Sequence, residues 1–205
     1  MANVFRRLLF RRYERHLLRT REIDRVEGIA LIDYHRNTPY FRETFRTALD
    51  IVKHKDPRRF NRIRRHIYYV MNFPIGYSGA GYIEHLKAYA TSFFPPPSEA
   101  NIPKSAIYYA STLVHEATHG LFYARGIPYN SKLRTRIEQI CHEEEHRFLN
   151  HLGLTAESLA KLKNLRRFDA EAYQKQWSST FFQRFRYTKR EETQRSKQPA
   201  RPEGT

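Results

Sequence analysis

The stretch TLVHEATHGL, residues 112–121, contains the pattern HExxH at positions 115–119. If this stretch is an α-helix, residues four apart lie one turn above each other on the same face. His115 and His119 can then direct their imidazoles at one metal ion. Glu116 lies beside them, where it can accept a proton from a metal-bound water molecule. The spacing therefore predicts a metal-binding helix that carries its own general base.

The neighbours of this pattern favour a buried helix. They are all uncharged: Thr112, Leu113, Ala117, Thr118, Gly120 and Leu121. Charged neighbours would be costly here, because a metal-ligating helix is buried on most sides. With Thr112 three residues before the first histidine, the segment resembles the extended zincin pattern, which implies a zinc metallopeptidase.

A second HExxH occurs in the stretch HEEEH, residues 142–146. Its interior consists of Glu144 and Glu145, and Arg147 follows directly. A stretch with this much charge is typical of a solvated helix face or of residues that support a site from outside. We therefore expect the first pattern, and not the second, to form the primary zinc site.

A catalytic zinc requires a third protein ligand and keeps one position open for water. The continuation HExxHxxGxxH of the metzincins is absent, because Phe122 stands in place of its glycine. Eighteen residues separate His119 from Glu138, a spacing that resembles the gluzincin aminopeptidases and is one short of the thermolysin spacing. Gly126 and Pro128 predict the end of the first helix, after which a second helix can fold back and present Glu138 to the metal.

The gluzincin resemblance covers only residues 115–138, and it fails at one neighbouring position. In thermolysin-like members an acidic residue four positions after the glutamate ligand supports one of the histidines, whereas this chain has His142 there. Glu145, two turns after Glu138, can take that role or can itself be the ligand, because ligating histidines usually donate their other N–H to a carboxylate or carbonyl. The residues that leave these assignments open are three consecutive glutamates: Glu143, Glu144 and Glu145.

The resemblance implies hydrolysis of a peptide bond in a peptide or protein substrate. Zn²⁺ held by His115, His119 and Glu138 would lower the pKa of its bound water and polarise the scissile carbonyl. Glu116 would take the proton of that water and pass it to the leaving amine. The developing oxyanion also needs a hydrogen-bond donor. Three residues near the site in sequence are candidates for this donor: Tyr129, His142 and Arg134.

Length and composition predict one compact domain in the cytoplasm. A chain of 205 residues suits a single core. No stretch is apolar for long enough to cross a bilayer, and the N-terminus lacks the uninterrupted apolar run of a secretory signal. Cys141 is the single cysteine, which excludes an internal disulfide. We expect it to pack in the core, because a fourth zinc ligand would close the catalytic position.

Positive charge is concentrated towards the two ends of the chain. Residues 1–65 contain 18 Lys and Arg against 8 acidic residues, and residues 161–205 contain 12 against 5. The segment between them, 66–160, contains 7 against 8. Basic flanks attract polyanions, of which nucleic acid and anionic membrane surfaces are the obvious candidates.

Hydrophobic periodicity and turn residues predict the other elements. Before the HExxH pattern they are an amphipathic helix over 3–20, a helix opened by Asn37 or Thr38 followed by Pro39, and a short helix over 58–65 after Asp56 and Pro57. A strand over 67–73, a turn at Gly76, Gly79 and Gly81, and one or two strands over 82–94 follow. The zinc-binding helix is predicted over about 104–125, then a helix capped by Thr155 with Ala156, Leu159 and Leu162 facing inward, and a last helix over about 169–186.

Strands directly before the HExxH helix agree with a zincin fold, in which a mixed or antiparallel sheet packs behind that helix and its edge strand can hold an extended peptide. We therefore predict an α+β zincin-like domain over residues 1–186, with a core of about 37–155 and helical extensions at both ends. Residues 187–205 are predicted to be a basic disordered tail. Two alternatives to a metallopeptidase are a nucleic-acid-associated zincin recruited through the basic flanks and a non-catalytic module stabilised by metal.

Overall fold

The structure is a computed structural model that describes residues 16, 18–36, 38–73, 80–165 and 168–171. Four predictions lie wholly or largely outside these residues: the N-terminal helix over 3–20, the glycine turn over 76–81, the helix over 169–186 and the tail over 187–205. The described part combines a small mixed sheet with several helices. The predicted α+β class is therefore confirmed.

Five strands form the sheet, in the spatial order β1-β2-β3-β5-β4. Their bounds are Glu22–Val26 (β1), Ile29–Asp33 (β2), Tyr69–Asn72 (β3), Ala80–Ile83 (β4) and Ala88–Thr91 (β5). The three central strands β2, β3 and β5 are parallel, whereas β1 and β4 pair antiparallel with their neighbours. β4 is consequently an edge strand.

After the first two strands, the described residues form five α-helices. Their bounds are Phe41–Lys55 (α1), Pro57–His66 (α2), Ile102–Ala124 (α3), Arg134–His151 (α4) and Ala156–Leu165 (α5). The long helix α3 packs against α1, α2 and α4 and contacts β4 and β5. None of the helices in the described part of the chain has the length and apolarity needed to cross a membrane.

The core between the sheet and α3 is rich in aromatic rings. Phe45 packs its ring against Tyr109 of α3 at a centroid distance of 4.9 Å and against Tyr89 of β5 at 6.0 Å. The hydroxyls of Tyr89 and Thr112 form a buried hydrogen bond of 2.9 Å, which joins β5 to α3 one turn before His115. The packing thus holds the HExxH segment against the centre of the sheet.

Helix α3 ends as its sequence predicts. Gly126 has a φ of 70°, a backbone conformation that costs glycine little and other residues more. Its N–H bonds to the carbonyl of Tyr123, and the N–H of Ile127 bonds to the carbonyl of Phe122. These two bonds define a Schellman motif. The motif turns the chain sharply, so that α4 can return alongside α3.

Two strands at the start of the domain were not predicted. Ile29 to Ile32 are all fully buried because β2 is a central parallel strand with both faces covered. Such a strand has no polar alternation, and over five residues it cannot be distinguished from a helix segment by periodicity. The sheet therefore begins before residue 37, where the core was expected to start.

Two helix details differ from the sequence predictions. The first helix begins at Phe41, after Tyr40 in the left-handed conformation, and not directly after Asn37 or Thr38 and Pro39. Thr155 does accept a hydrogen bond from the N–H of Ser158, as expected of a cap. Ala156, however, is exposed rather than facing inward, because α5 makes few contacts with the body of the domain and covers little surface.

Asp56 links the start of α2 to Arg59 and His151. Its carboxylate accepts a hydrogen bond from the backbone N–H of Arg59 at 3.0 Å, pairs with the Arg59 guanidinium, and lies 3.4 Å from Nδ1 of His151. Burial would raise the pKa of Asp56, but the bonds from Arg59 outweigh it and hold the pKa below its usual value. The ionised carboxylate is therefore favoured by folding.

We expect Asp56→Ala to lower the free energy of unfolding by about 1–2 kcal/mol at pH 7, because it removes a helix cap and the acceptor of a charged pair. Folding lowers the pKa of Asp56. The ionised carboxylate therefore contributes its full stabilisation above the pKa of the unfolded chain, about 4, and this stabilisation is lost as the pH falls through the pKa of the folded protein. Urea unfolding at several pH values measures this difference. Asp56→Asn keeps a capping oxygen and should therefore lower the free energy of unfolding by less. If the free energies of unfolding of Asp56→Ala and the parent differ as much in acid as at pH 7, the assigned role of the charge is wrong.

Candidate metal centre

Helices α3 and α4 bring together the three residues that the sequence assigns to the metal. Nε2 of His115 lies 3.2 Å from Nε2 of His119. The carboxylate of Glu138 faces both rings, with Oε2 3.4 Å from Nε2 of His115 and Oε1 3.4 Å from Nε2 of His119. The two imidazoles and the carboxylate therefore converge on one point between the helices.

These separations fit a tetrahedral metal ion. Nitrogen and oxygen ligands about 2.0–2.1 Å from a tetrahedral zinc lie roughly 3.3 Å from each other. The observed separations of 3.2, 3.4 and 3.4 Å are of this size, and each of the two Glu138 oxygens faces one of the two histidines. The two imidazoles and the carboxylate could therefore hold a zinc ion between them.

The buried carboxylates of this cluster favour a positive charge between them. Burial alone would lower the pKa of His115, but its contacts with Glu138 and Glu145 outweigh burial and raise the pKa to about 9. Burial would raise the pKa of Glu138, yet the contacts with His115 and His119 hold it far below the usual range. A proton on His115 therefore balances the buried carboxylates in the metal-free chain. A metal ion can replace it, since metal binding releases protons from its ligands.

Glu145 supports His115 from the side away from Glu138. Its side chain is completely buried, and Oε2 lies 3.4 Å from Nδ1 of His115 and 3.4 Å from Nδ1 of His142. Ser111, one turn before His115 in α3, donates a hydrogen bond of 2.8 Å to Oε1 of Glu145. Glu145 thus lies where it can support His115, which is one of the two roles that the sequence left open for it.

The other two glutamates of the run point elsewhere. Glu144 accepts a hydrogen bond of 2.9 Å from Arg62 and lies 3.3 Å from Arg59, so it joins α4 to α2. Glu143 lies towards the surface and pairs with Gln139 and Arg147 along its own helix. Of the four glutamates considered as third ligand, Glu138 is therefore the one that the structure places beside both histidine Nε2 atoms.

Glu116 lies in a cleft next to the two histidines. Its side chain is buried, and Oε2 has no hydrogen-bond partner among the described residues. A buried carboxylate oxygen without a partner is costly unless water or a ligand satisfies it. Glu116 is thus available for water or for a bound substrate in the cleft.

The cleft has a volume of about 350 Å³ and is formed by three parts of the chain. One wall is the edge strand β4 with Glu84 after it, another is α3, and the third is the loop and first turn of α4 that carry Tyr129 and Ile137. The sequence did not reveal the role of β4. Gly81 and Tyr82 form no motif, and only the pairing of β4 at the sheet edge brings them opposite His119.

Gly120 allows α3 to approach this wall. A Cβ at residue 120 would lie 2.6 Å from Cβ of His66 and 2.9 Å from the hydroxyl of Tyr82. The Tyr82 hydroxyl donates a hydrogen bond of 2.9 Å to the carbonyl of His66. Burial raises the pKa of Tyr82 to about 12, so this phenol remains a donor at neutral pH. Residue 120, which follows His119, is therefore a glycine because a larger side chain would clash with His66 and Tyr82.

The three candidates for the oxyanion donor occupy different positions. Tyr129 lines the cleft, and its hydroxyl donates to Oε1 of Glu138 while its ring packs edge-on against His119. Arg134 places its guanidinium over the Tyr129 ring, 5.3 Å from the centroid. His142 does not line the cleft; its ring packs edge-on against His115 and stacks on Phe168. Tyr129 is therefore the candidate that the cleft contains.

Two further side chains lie within reach of the cluster. The sulfur of Cys141 and one nitrogen each of His115 and His119 lie within 4.8 Å of one another, as do ligand atoms of His115, Glu138 and His142. Cys141 is fully buried one turn after Glu138. The burial of Cys141 agrees with the expectation that it packs in the core. Cys141 also lies near the three candidate metal ligands, which was not predicted from the sequence.

Comparison of this chain with protein-family models, with curated proteins and with solved structures finds no match. The arrangement of side chains around His115, His119 and Glu138 is accordingly the observation on which a functional assignment can rest.

Proposed function

We propose that this chain is a zinc-dependent metallopeptidase with a zincin-like fold. The observation that carries the proposal is the convergence of His115, His119 and Glu138 at separations of 3.2–3.4 Å in a cleft that also contains Glu116. Two nitrogen ligands, one carboxylate and an accessible fourth side are the composition of a catalytic zinc site.

His115, His119 and Glu138 would hold the zinc ion. When bound, zinc supplies a Lewis acid that activates water and polarises a carbonyl group. Glu116 takes a proton from the attacking water and delivers it to the leaving amine, for which its unpartnered buried oxygen is suited. The Tyr129 hydroxyl donates to the developing oxyanion, after giving up its contact with Glu138.

The edge strand β4 supports a peptide as substrate. β4 pairs with β5 on one side only, and Ala80, Gly81 and Tyr82 line the cleft. An extended peptide can add to such an edge through main-chain hydrogen bonds, which requires no particular side chains. The carbonyl of one of its peptide bonds would then face Glu116 and the two histidines.

Metal content and turnover test the proposal together. The purified protein should contain about one zinc per chain, and it should hydrolyse an unstructured protein such as casein in a reaction that a chelator stops and added zinc restores. Protein that holds one zinc but leaves casein and a mixed peptide library intact would exclude the peptidase assignment and retain the metal site.

Cys141 favours a second candidate function, a metal-stabilised module without turnover. If the thiolate joins His115, His119 and Glu138, four protein ligands close the coordination sphere, as in structural zinc sites. Cobalt substitution distinguishes the two candidates. A cobalt–thiolate charge-transfer band that disappears in Cys141→Ser supports the closed site, whereas a spectrum unaffected by this substitution supports the open one.

Glu145→Gln should weaken zinc binding by about 10–100-fold, because supporting carboxylates fix the orientation and raise the basicity of a ligating histidine. Competition with a chelator of known affinity measures the change. Glu143→Gln is the matched control, since it alters the same residue type two positions away on the surface of the same helix. Equal affinities of the two variants would show that Glu145 does not act on His115.

A further inference from the structure

A group of basic side chains forms a surface beside the cleft, separate from the basic ends of the chain. Helix α2 contains five arginines. Arg59 and Arg62 point inward to Glu144, whereas Arg58 and Arg65 are exposed. Arg58 and Arg65 are seven residues apart, so they lie on one face of the helix about 10 Å from each other. Lys87 and Arg125 extend this surface, and we call these four residues the α2 basic surface.

Three members of this surface, Arg65, Lys87 and Arg125, lie near His66, at the end of α2. The backbone N–H of Tyr68, two residues after His66, bonds to the carbonyl of Lys87 at 2.7 Å, and Gly120, five residues before Arg125, packs against His66. Burial and the positive charges of Lys87, Arg62, Arg65 and Arg125 lower the pKa of His66. Nδ1 of His66 is buried and lacks a hydrogen-bond partner among the described residues. Within that part of the chain, Arg58, Arg65 and Arg125 form no ion pair. Like charges this close repel each other unless an anion lies between them.

Lys87 shows a further local feature. Its φ is 51°, a left-handed conformation that is uncommon for a residue with a long side chain. Its ammonium group lies over the ring of Tyr68, 4.7 Å from the centroid and 3.2 Å from the hydroxyl. Tyr68 is itself exposed. The basic surface therefore contains an accessible aromatic ring next to a positioned cation.

Several observations decide which anionic partner fits. The cations extend over about two turns of α2 and continue to Lys87, just before β5, and to Arg125, just after α3, which exceeds the reach of a single carboxylate. The apolar residues of α2, Phe60 and Ile63, are buried in the core. The helix therefore has no free apolar face to insert into a bilayer, as an interfacial helix would. Spaced cations with an exposed aromatic ring are instead typical of surfaces that bind single-stranded nucleic acid.

We propose that the α2 basic surface binds the phosphate backbone of single-stranded nucleic acid. Arg58, Arg65 and Arg125 contact phosphates, while Lys87 and Tyr68 contact a phosphate and a base. This binding does not depend on the metal. The surface adjoins the cleft through His66, which packs against Gly120 and Tyr82. A protein associated with the bound strand would therefore lie close to Glu116 and the two histidines.

The test compares two triple variants of the full chain. Arg58→Gln, Arg65→Gln and Arg125→Gln together alter the surface. Lys104→Gln, Lys132→Gln and Arg136→Gln together remove the same charge elsewhere. All six residues are exposed, and thermal unfolding checks that both variants fold as the parent does. The probe is a fluorescein-labelled 20-nucleotide oligo(dT), measured by anisotropy between about 50 and 200 mM salt.

The surface variant should bind the oligonucleotide at least about 10-fold more weakly than the parent at 100 mM salt, and its slope of log affinity against log salt should be smaller by about 2. The control variant should change affinity less than about 3-fold. Equal losses in the two variants would show that net charge alone acts, which overturns the proposal. A loss confined to vesicles containing phosphatidylserine, with oligonucleotide binding unchanged, would assign the surface to membranes and overturn it as well.

Discussion

Glu116→Gln should reduce the proposed peptide hydrolysis by about 10²–10⁴-fold and leave zinc content unchanged. The amide has the size and shape of the carboxylate but cannot accept the proton of the attacking water. The side chain contributes to neither of the contacts that join the histidines to Glu138. Removing its charge should therefore leave the metal in place, and because its buried Oε2 atom has no partner among the described residues, the change should not lower stability.

Steady-state hydrolysis of a peptide and metal analysis of the same preparation measure both effects. Glu143→Gln serves as the control, because it removes a carboxylate from the surface of α4 without touching the cleft. Loss of zinc in Glu116→Gln would identify Glu116 as a ligand or as a structural residue. Full activity of this variant would reject its role as general base.

Glu138→Gln and His119→Ala should each weaken zinc binding by more than the roughly 10–100-fold expected for Glu145→Gln, because they remove atoms that contact the ion directly. Glu138 faces both imidazoles, so its loss also removes the negative charge that holds them together. Chelator competition and metal analysis measure the affinity, and thermal unfolding with and without zinc reports how far the metal stabilises each variant.

Glu144→Gln is the matched control for Glu138→Gln. The Glu144 carboxylate belongs to the same helix but contacts Arg62 and Arg59 of α2. The Glu144→Gln variant should therefore lose stability and retain zinc affinity. If Glu144→Gln loses zinc while Glu138→Gln keeps it, the assignment of the third ligand is wrong. If His142→Ala loses zinc as strongly as His119→Ala, the metal uses the group of His115, Glu138 and His142.

The helical elements near the site could be predicted from local chemistry. Asp56 and Pro57 mark the start of α2, and Gly126 and Pro128 mark the end of α3. These signals act within one or two turns of a helix, because capping groups and left-handed glycines satisfy or redirect the nearest backbone atoms. The strand β2 could not be predicted in this way, since its parallel partner β3 is distant in the chain, and β1 in turn pairs with β2.

The surroundings of the candidate site depend on packing. Ser111 lies four residues before His115, a spacing that indicates a shared helix face, but nothing in the sequence joins it to Glu145. Gly81 and Tyr82 reach the cleft because β4 pairs with β5 at the edge of the sheet. The α2 basic surface likewise combines residues from α2, from the turn before β5 and from the end of α3, none of which forms a motif by itself.

The sequence by itself determined that His115 and His119 share one helix face with Glu116 beside them, because the period of an α-helix depends only on the local chain. Only the tertiary structure decided between the glutamates. Consecutive residues of a helix point about 100° apart, so Glu143, Glu144 and Glu145 must face three directions, yet which faces solvent, α2 or His115 depends on how α4 packs against its neighbours. That packing is set by buried side chains across the whole domain, and no local pattern encodes it.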